Sequence, residues 1–470
     1  MSQKNETKIL FFSLAITILF LGTGIWLFAK FSGFNFGSGQ DQSPTVVTPS
    51  TESLDERLSS GEEILIQSKI TPQKQEAVRA IASGNYDTAV NSLEASLKTS
   101  PNDPEALIYL NNARIGEQQA YTIAVSTPIG TNEDAAQEML RGVAQAQDEI
   151  NQAGGINGIP LKVVIANDSN DPTVAQSIAA GLVKNSDILG VVGHYASGVT
   201  LATADTYNSG QLVAISPIST SVQLSGYSPY VFRTVPSDYM AARALAQYVQ
   251  QRLNQNKVAV FYNSESAYSQ SLKSEFATAM SLGGGEIVDE FDLSVANFNP
   301  GDTFNQAVQN GAEAIMLATS AETLDKALQV VAVNRKQIPI VGGDDVYSPK
   351  TLQVGGESAE EMIVAIPWHI LSNPNSEFAQ ASRQLWGSEV NWRTALSYDA
   401  TQALAEAIER NPTREGVQQA LKSPNFAAEG ASGTVRFLPS GDRNSTVQLV
   451  KVAPGDRSSF DYDFVPVLNP

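Results

Sequence analysis

The stretch LRGVAQAQDEINQAGGINGIPLKVVIANDSNDP, residues 140–172, decides the fold. It begins inside an amphipathic pattern. Across 134–152, Met139, Val143, Ala146 and Ile150 recur at spacings of three and four, which predicts a helix with one apolar face. AGGINGIP (153–160) then supplies a Gly-rich stop and turn. The run at 161–166 is short, apolar and β-branched, as in a strand covered on both faces. Helix, turn and strand thus follow one another at the spacing of a βα repeat.

The same alternation extends in both directions. Candidate strands fall at 121–125, 161–166, 188–192, 212–215, 258–262, 287–291, 314–318, 338–341, 362–366 and 447–452, and most gaps between them carry a helical pattern. Short turns between so many βα units predict an α/β fold with doubly wound parallel sheets covered by helices. Ten strands exceed one comfortable core, so two lobes are expected. Ser197, Thr220 and Asp344 stand just after three of the apolar runs. In open α/β sheets, ligands bind at the carboxyl ends of strands, where helix N-termini aim free N–H groups. The pattern therefore places a small solute and proposes no catalyst.

Composition narrows the partners. Against 49 Asp and Glu the chain carries 30 Lys and Arg, a net charge of −19, which disfavours nucleic acid and anionic lipid. The absence of cysteine removes disulfides, thiolate catalysis and sulfur-ligated metals. Neither a cofactor nor a metal is expected.

The N-terminal part reads differently. From Ile9 to Ala29 the chain runs 21 residues without a charge, enough to span a bilayer core of about 30 Å. Lys4 and Lys8 before it favour an N-terminus on the cytoplasmic side and an exported remainder. A single-pass anchor over 1–30 is therefore expected, with a cleaved signal peptide as the alternative. Residues 31–53, rich in Gly, Ser, Thr, Gln and Pro, read as a flexible linker. Residues 54–118 read as a helical module. Within it GNYDTAVNSLEASLKTSPNDPEALIYLNNA (84–113) resembles one tetratricopeptide repeat, with Ala89, Leu93 and Leu97 on one helix face and Pro104 opening the next helix. A lone repeat cannot bury its own face, so it packs on a neighbouring element or on a protein partner.

From 121 to about 455 the chain resembles the type I periplasmic binding proteins, in the leucine/isoleucine/valine-binding branch that serves ABC importers. Besides 140–172, the resemblance rests on ILGVVGHYASGVT (188–200), LVAISPISTS (212–221), YVFRTVPSD (230–238), VAVFYNSESAYSQSL (258–272), LSYDATQALAEAIE (396–409) and GASGTVRFLPSGDR (430–443). It implies two lobes joined by three hinge crossovers, near 236–238, 367–368 and 438–441. Lobe one would be 121–236 plus 368–438, and lobe two 237–367 plus 439–470.

The site follows from the two readings together. Ser197 opens a helix after ILGVV, where its hydroxyl and the first free N–H groups suit a carboxylate. The resemblance implies that the Ile218 carbonyl accepts from a ligand ammonium, and that Thr220 bonds its carboxylate or ammonium. Tyr268 can close from the other lobe with ring and hydroxyl. Asp344, after paired glycines, can neutralise an ammonium in a closed cleft, and Asp345 can exchange roles with it. Tyr195 and Ser320 are further lining candidates. Ser320 stands where the branched-chain binders carry an aromatic, and the loop at 127–137 is longer than theirs. Both departures fall where side chains are sorted, so the resemblance does not fix a branched-chain ligand.

Enzymatic readings find little support. No G-x-S-x-G, G-x-x-x-x-G-K or H-E-x-x-H motif occurs. Of the two histidines, His194 reads as a core residue bonded to backbone and His369 lies beside Trp368 at a crossover. The expectation is a membrane-tethered, extracytoplasmic protein that captures an amino-acid-like zwitterion and delivers it to an ABC permease. A sensory ectodomain, or an envelope adaptor with a vestigial cleft, is the alternative.

Overall fold

A computed structural model describes residues 53–468, so the apolar run at 9–29 and the polar stretch at 31–52 lie outside the described residues. Among the described residues no helix is long and apolar enough to cross a membrane.

In chain order the first part contains β1 (Leu58–Ser59), α1 (Pro72–Ala82), α2 (Tyr86–Thr99), α3 (Pro104–Ile115), β2 (Tyr121–Thr127), α4 (Glu133–Gln152), β3 (Leu161–Asn167), α5 (Pro172–Lys184), β4 (Ile188–Val192), α6 (Ser197–Ser209), β5 (Val213–Ser216) and β6 (Val231–Arg233). The second part contains α7 (Asp238–Gln251), β7 (Lys257–Tyr262), α8 (Ala267–Leu282), β8 (Glu286–Asp292), α9 (Pro300–Gln309), β9 (Ala314–Ala318), α10 (Leu324–Asn334), β10 (Ile340–Gly342) and β11 (Ile363–Ile366). After these come α11 (Glu377–Trp386), α12 (Trp392–Arg410), α13 (Arg414–Lys422), β12 (Gln448–Pro454) and β13 (Tyr462–Pro466).

Two sheets result. The first has the order β1-β3-β2-β4-β5-β6 and the second β13-β12-β11-β10-β9-β7-β8. Both are mixed rather than purely parallel, which corrects the expectation. Strand β1 runs antiparallel to β3, and β12 is antiparallel to both β11 and β13. The strands missed in the sequence, β1, β6 and β13, all lie on sheet edges, where a full apolar run is not needed. Each sheet reverses its winding beside its first parallel strand, between β2 and β4 and between β7 and β9. That reversal opens a crevice at the carboxyl ends.

Helix α4 shows how the opening stretch folds. Asn132 caps it by accepting from the Ala135 amide. Gly155, at φ +81°, ends the turn where a Cβ would sit 2.4 Å from the Ile159 carbonyl oxygen. Gly142 lies mid-helix because a Cβ there would meet the Thr394 carbonyl oxygen at 2.2 Å, so its absence lets α12 pack closely on α4.

The chain passes from the first lobe to the second after Arg233 and returns after Ile366, bringing α11–α13 back to the first. Residues 438–443 still belong to the first lobe: the Arg233 amide donates to the Gly441 carbonyl, and the Gly226 amide to the Ser440 carbonyl. The third passage therefore falls after Arg443, later than the 438–441 expected.

The helices before β2 do not form a separate body. Every residue of α3 except Arg114 is buried, and Leu107, Ile108 and Leu110 share one core with Ile123, Val143 and Val163 of the first lobe. Asn112 holds the sheet edge beyond β1: its amide group donates to the Val163 carbonyl (2.7 Å), and its oxygen accepts from the Val163 amide (3.1 Å). Lys74 lies fully buried between Asp103 (2.8 Å) and Glu105 (2.7 Å), both fully buried as well. Glu105 also accepts from the Leu65 amide at 2.7 Å, which pins the preceding segment, and burial raises its carboxyl above the ordinary 4.5.

Removing the cation from this cluster strands two desolvated carboxylates. Lys74→Met is expected to destabilise the protein by about 3–5 kcal/mol, read as a lower denaturation midpoint in urea at neutral pH. An unchanged midpoint would show that the cluster carries no such coupling.

Candidate functional site

The carboxyl ends of both sheets face one cavity of about 290 Å³. From the first lobe it takes Asn170 after β3, Tyr195 to Val199 after β4, and Ile218 after β5. The second lobe contributes Asn263 and Glu265 to Tyr268 after β7, Ser320 to Glu322 after β9, and Asp344 and Asp345 after β10. Seven of the eight expected residues meet there: Ser197, Ile218, Tyr268, Asp344, Tyr195, Ser320 and Asp345. Thr220 does not line it. Its carbonyl accepts from the Asp238 amide (2.8 Å), and its hydroxyl lies beside that buried carboxylate at the first passage between lobes.

On the first wall, α6 begins at Ser197, so the Ser197 and Gly198 amides have no acceptor within the helix. The Ser197 hydroxyl is buried and accepts from the Ser221 amide at 3.2 Å, leaving its own hydrogen to donate. Ser216 and Ser219 fix the backbone around Ile218. Ser216 Oγ accepts from the Ser219 amide (2.9 Å) and donates to the His194 carbonyl (2.7 Å).

The second wall is acidic. Tyr268, the second residue of α8, donates to Asp344 Oδ1 at 2.5 Å. Burial and the Asp344 charge hold this phenol well above its ordinary 10.0, so it stays a neutral donor. Gly343 makes the contact possible, since a Cβ there would lie 2.3 Å from the Tyr268 oxygen. Ser320 accepts from Asn263 Nδ2 at 2.8 Å.

Asp345 is tied to the opposite lobe. It accepts from Tyr195 (3.3 Å) and pairs with Arg393 (3.3 Å), while Ala321 donates its amide to the other oxygen (3.1 Å). Arg393 projects from the start of α12, stacks on Trp392, and also donates to the Tyr347 carbonyl at 3.2 Å. Further bridges between lobes join Asn170 to Glu322 (3.2 Å) and the Val222 amide to Ser271 (3.0 Å). Burial raises both Asp344 and Asp345 above 3.8. Asp344 adds to the effect on Asp345, and Arg393 opposes the shift in each.

Arg393, Asn170, Glu265 and Glu322 were not anticipated. The detectable signal for Arg393 was a cation in NWRTALSYDA, two residues into a helix that otherwise reads as buried.

His194 is held by side chains rather than by backbone: Nδ1 lies 2.7 Å from Asp168 Oδ2 and Nε2 lies 2.9 Å from the Tyr207 hydroxyl. Both ring nitrogens are therefore occupied away from Ser197, and no Ser–His pair forms. His369, pushed down to about 4 by burial and then by Arg457, packs against Tyr347. Among the described residues no three His, Asp or Glu side chains converge to hold a metal.

Two lobes closing their carboxyl-terminal strand ends on one small cavity define a solute-binding protein. The chain belongs to the periplasmic binding protein family, whose sequence profile matches residues 120–457. It is 26% identical over 299 residues to Leu/Ile/Val-binding protein homolog 1 of Brucella suis, covering 61% of this chain and 77% of that one. A 35% identical match to an amino acid binding protein of Pseudomonas aeruginosa is shorter, spanning 153 residues, or 32% of this chain and 40% of the relative. An ABC transporter substrate-binding protein of Desulfitobacterium hafniense, solved in complex with Leu, superposes with a TM-score of 0.63 at 25% identity, over 74% of this chain and all of the other. All of these are named as binding proteins.

Carboxyls raised on folding leave a signature in stability. Burial brings Asp238 from 3.8 to about 6, with the Ser271 and Thr220 hydroxyls opposing it, and Asp344 and Asp345 move the same way. In the window from 3.8 to about 6 the folded chain holds protons that the unfolded chain has released, so these groups make stability fall as pH rises. Melting of the ligand-free protein between about pH 4.5 and about pH 7 is expected to show a shallower fall for Asp344→Asn than for the wild type. Identical slopes would remove Asp344 from the account.

Proposed function

We propose that the protein is an extracytoplasmic solute-binding protein that captures an amino acid between its lobes for an ABC-type importer. Its binding site comprises Ser197, Ile218, Tyr268 and Asp344, with Tyr195, Ser320 and Asp345 beside them. The apolar run at 9–29 supports a single-pass tether that keeps residues after about 30 on the periplasmic side.

One observation carries this reading: the two walls have opposite polarity. The α6 N-terminus and the Ser197 hydroxyl suit a carboxylate. Across the cavity Asp344 is buried, hydrogen-bonded to a neutral phenol, and in no ion pair among the described residues. Such a carboxylate gains most from a cation that enters with its own hydrogen-bond donors. An α-amino acid brings both groups, and 290 Å³ lies near the lower limit for small-molecule sites. The Ile218 carbonyl adds an acceptor for the ammonium. Closure excludes water and strengthens both interactions. The names of the relatives, which include leucine-, isoleucine-, valine-, threonine- and alanine-binding proteins, support the ligand class.

Calorimetric titration with a panel of L-amino acids tests the proposal. Asp344→Ala should weaken the best ligand by about 2–5 kcal/mol while the protein stays folded. Binding to the wild type should weaken as pH falls and Asp344 takes up a proton. Unchanged affinity in the variant would overturn the assignment.

A further inference from the structure

We propose that the captured amino acid is a basic one, whose side chain carries a second positive charge to Glu265 and Glu322. This rests on the cavity being an amino-acid site and adds what that reading leaves open, the class of side chain.

The cavity lining includes Glu265, Glu322, Asp344 and Asp345 and neither Lys nor Arg. Arg393 compensates Asp345 from the adjoining cleft. For Glu265, Glu322 and Asp344 no ion pair exists among the described residues; Glu322 has only the Asn170 amide. A zwitterion with a neutral side chain would place its ammonium at Asp344 and its carboxylate at α6. Two carboxylates on the same lobe as Asp344 would then face the cavity mouth with no cation among the described residues.

The placement of the charge selects the kind of cation. No three acidic or His side chains converge, so the arrangement does not suit a metal ion. Asp344 is buried, whereas Glu265 and Glu322 lie exposed at the rim, on the neighbouring turns after β7 and β9. Negative charge is thus spread from the closed end of the cavity to its mouth. That spread matches an ammonium or guanidinium carried several carbons away from the α-ammonium. The methylene stem can lie along Ala267 and Ala321 while its charged head stays near water. The net charge of −19 also favours the approach of a cation.

L-Lysine and L-norleucine, which share a four-carbon stem and differ in the terminal ammonium, give the decisive comparison. Titrated into the full-length protein, lysine should bind at least about tenfold more tightly, with the preference shrinking as salt is raised. The double variant E265Q/E322Q, altered at exposed positions, should lose most of that preference. Norleucine binding as well as or better than lysine would overturn the charged side chain and leave amino-acid capture standing. A lysine preference untouched by E265Q/E322Q would overturn the assigned glutamates. No amino acid binding to the folded protein would overturn the capture reading and this inference with it.

Discussion

Two adjacent carboxylates on one short turn, both withdrawn from water, set the central constraint. Asp345 is compensated by Arg393 and Tyr195, which belong to the other lobe. Neither lobe alone satisfies this turn. Bringing the lobes together exchanges water at Asp345 for a guanidinium and a phenol, and it leaves Asp344 beside Tyr268 in no ion pair among the described residues. In the proposed reading, closure and the demand for a positive guest are one electrostatic event. The two aspartates differ in their partners: Asp345 bonds across the lobes, and Asp344 bonds Tyr268 within its own lobe and lines the cavity.

Much of this was legible in the sequence because it is written in local patterns. The apolar runs locate the parallel strands to within a residue or two, apart from the edge strand β6. Small polar residues directly after them, such as Ser197 and Asp344, fall at the strand ends where the crevice opens. The space that Gly343 leaves before Asp344 is filled by the Tyr268 hydroxyl.

What could not be read depends on contacts distant in sequence. Arg393 reaches Asp345 across 48 positions and from another lobe, so no spacing rule connects them. Thr220 belongs to the right loop but turns toward Asp238, a choice made by the route of the first crossover. The antiparallel sense of β12 follows from a return out of the first lobe, and in β13 Asp463 interrupts the apolar residues that would announce a strand. The helical pattern at 84–113 places α2 and α3, yet the burial of α3 against α4 and β3 is a tertiary fact. Polar residues such as Asn112 and Lys74 sit inside because each finds its partners there.

That burial has a mechanical consequence. The segment from Leu58 to Ile115 is welded to the first lobe through β1, Asn112 and a shared core, and the chain enters the fold through it. The first lobe is therefore the larger rigid unit, since its sheet, its helices and this segment share one core, and polar bridges from Asn170, Tyr195 and the Val222 amide join the second lobe to it.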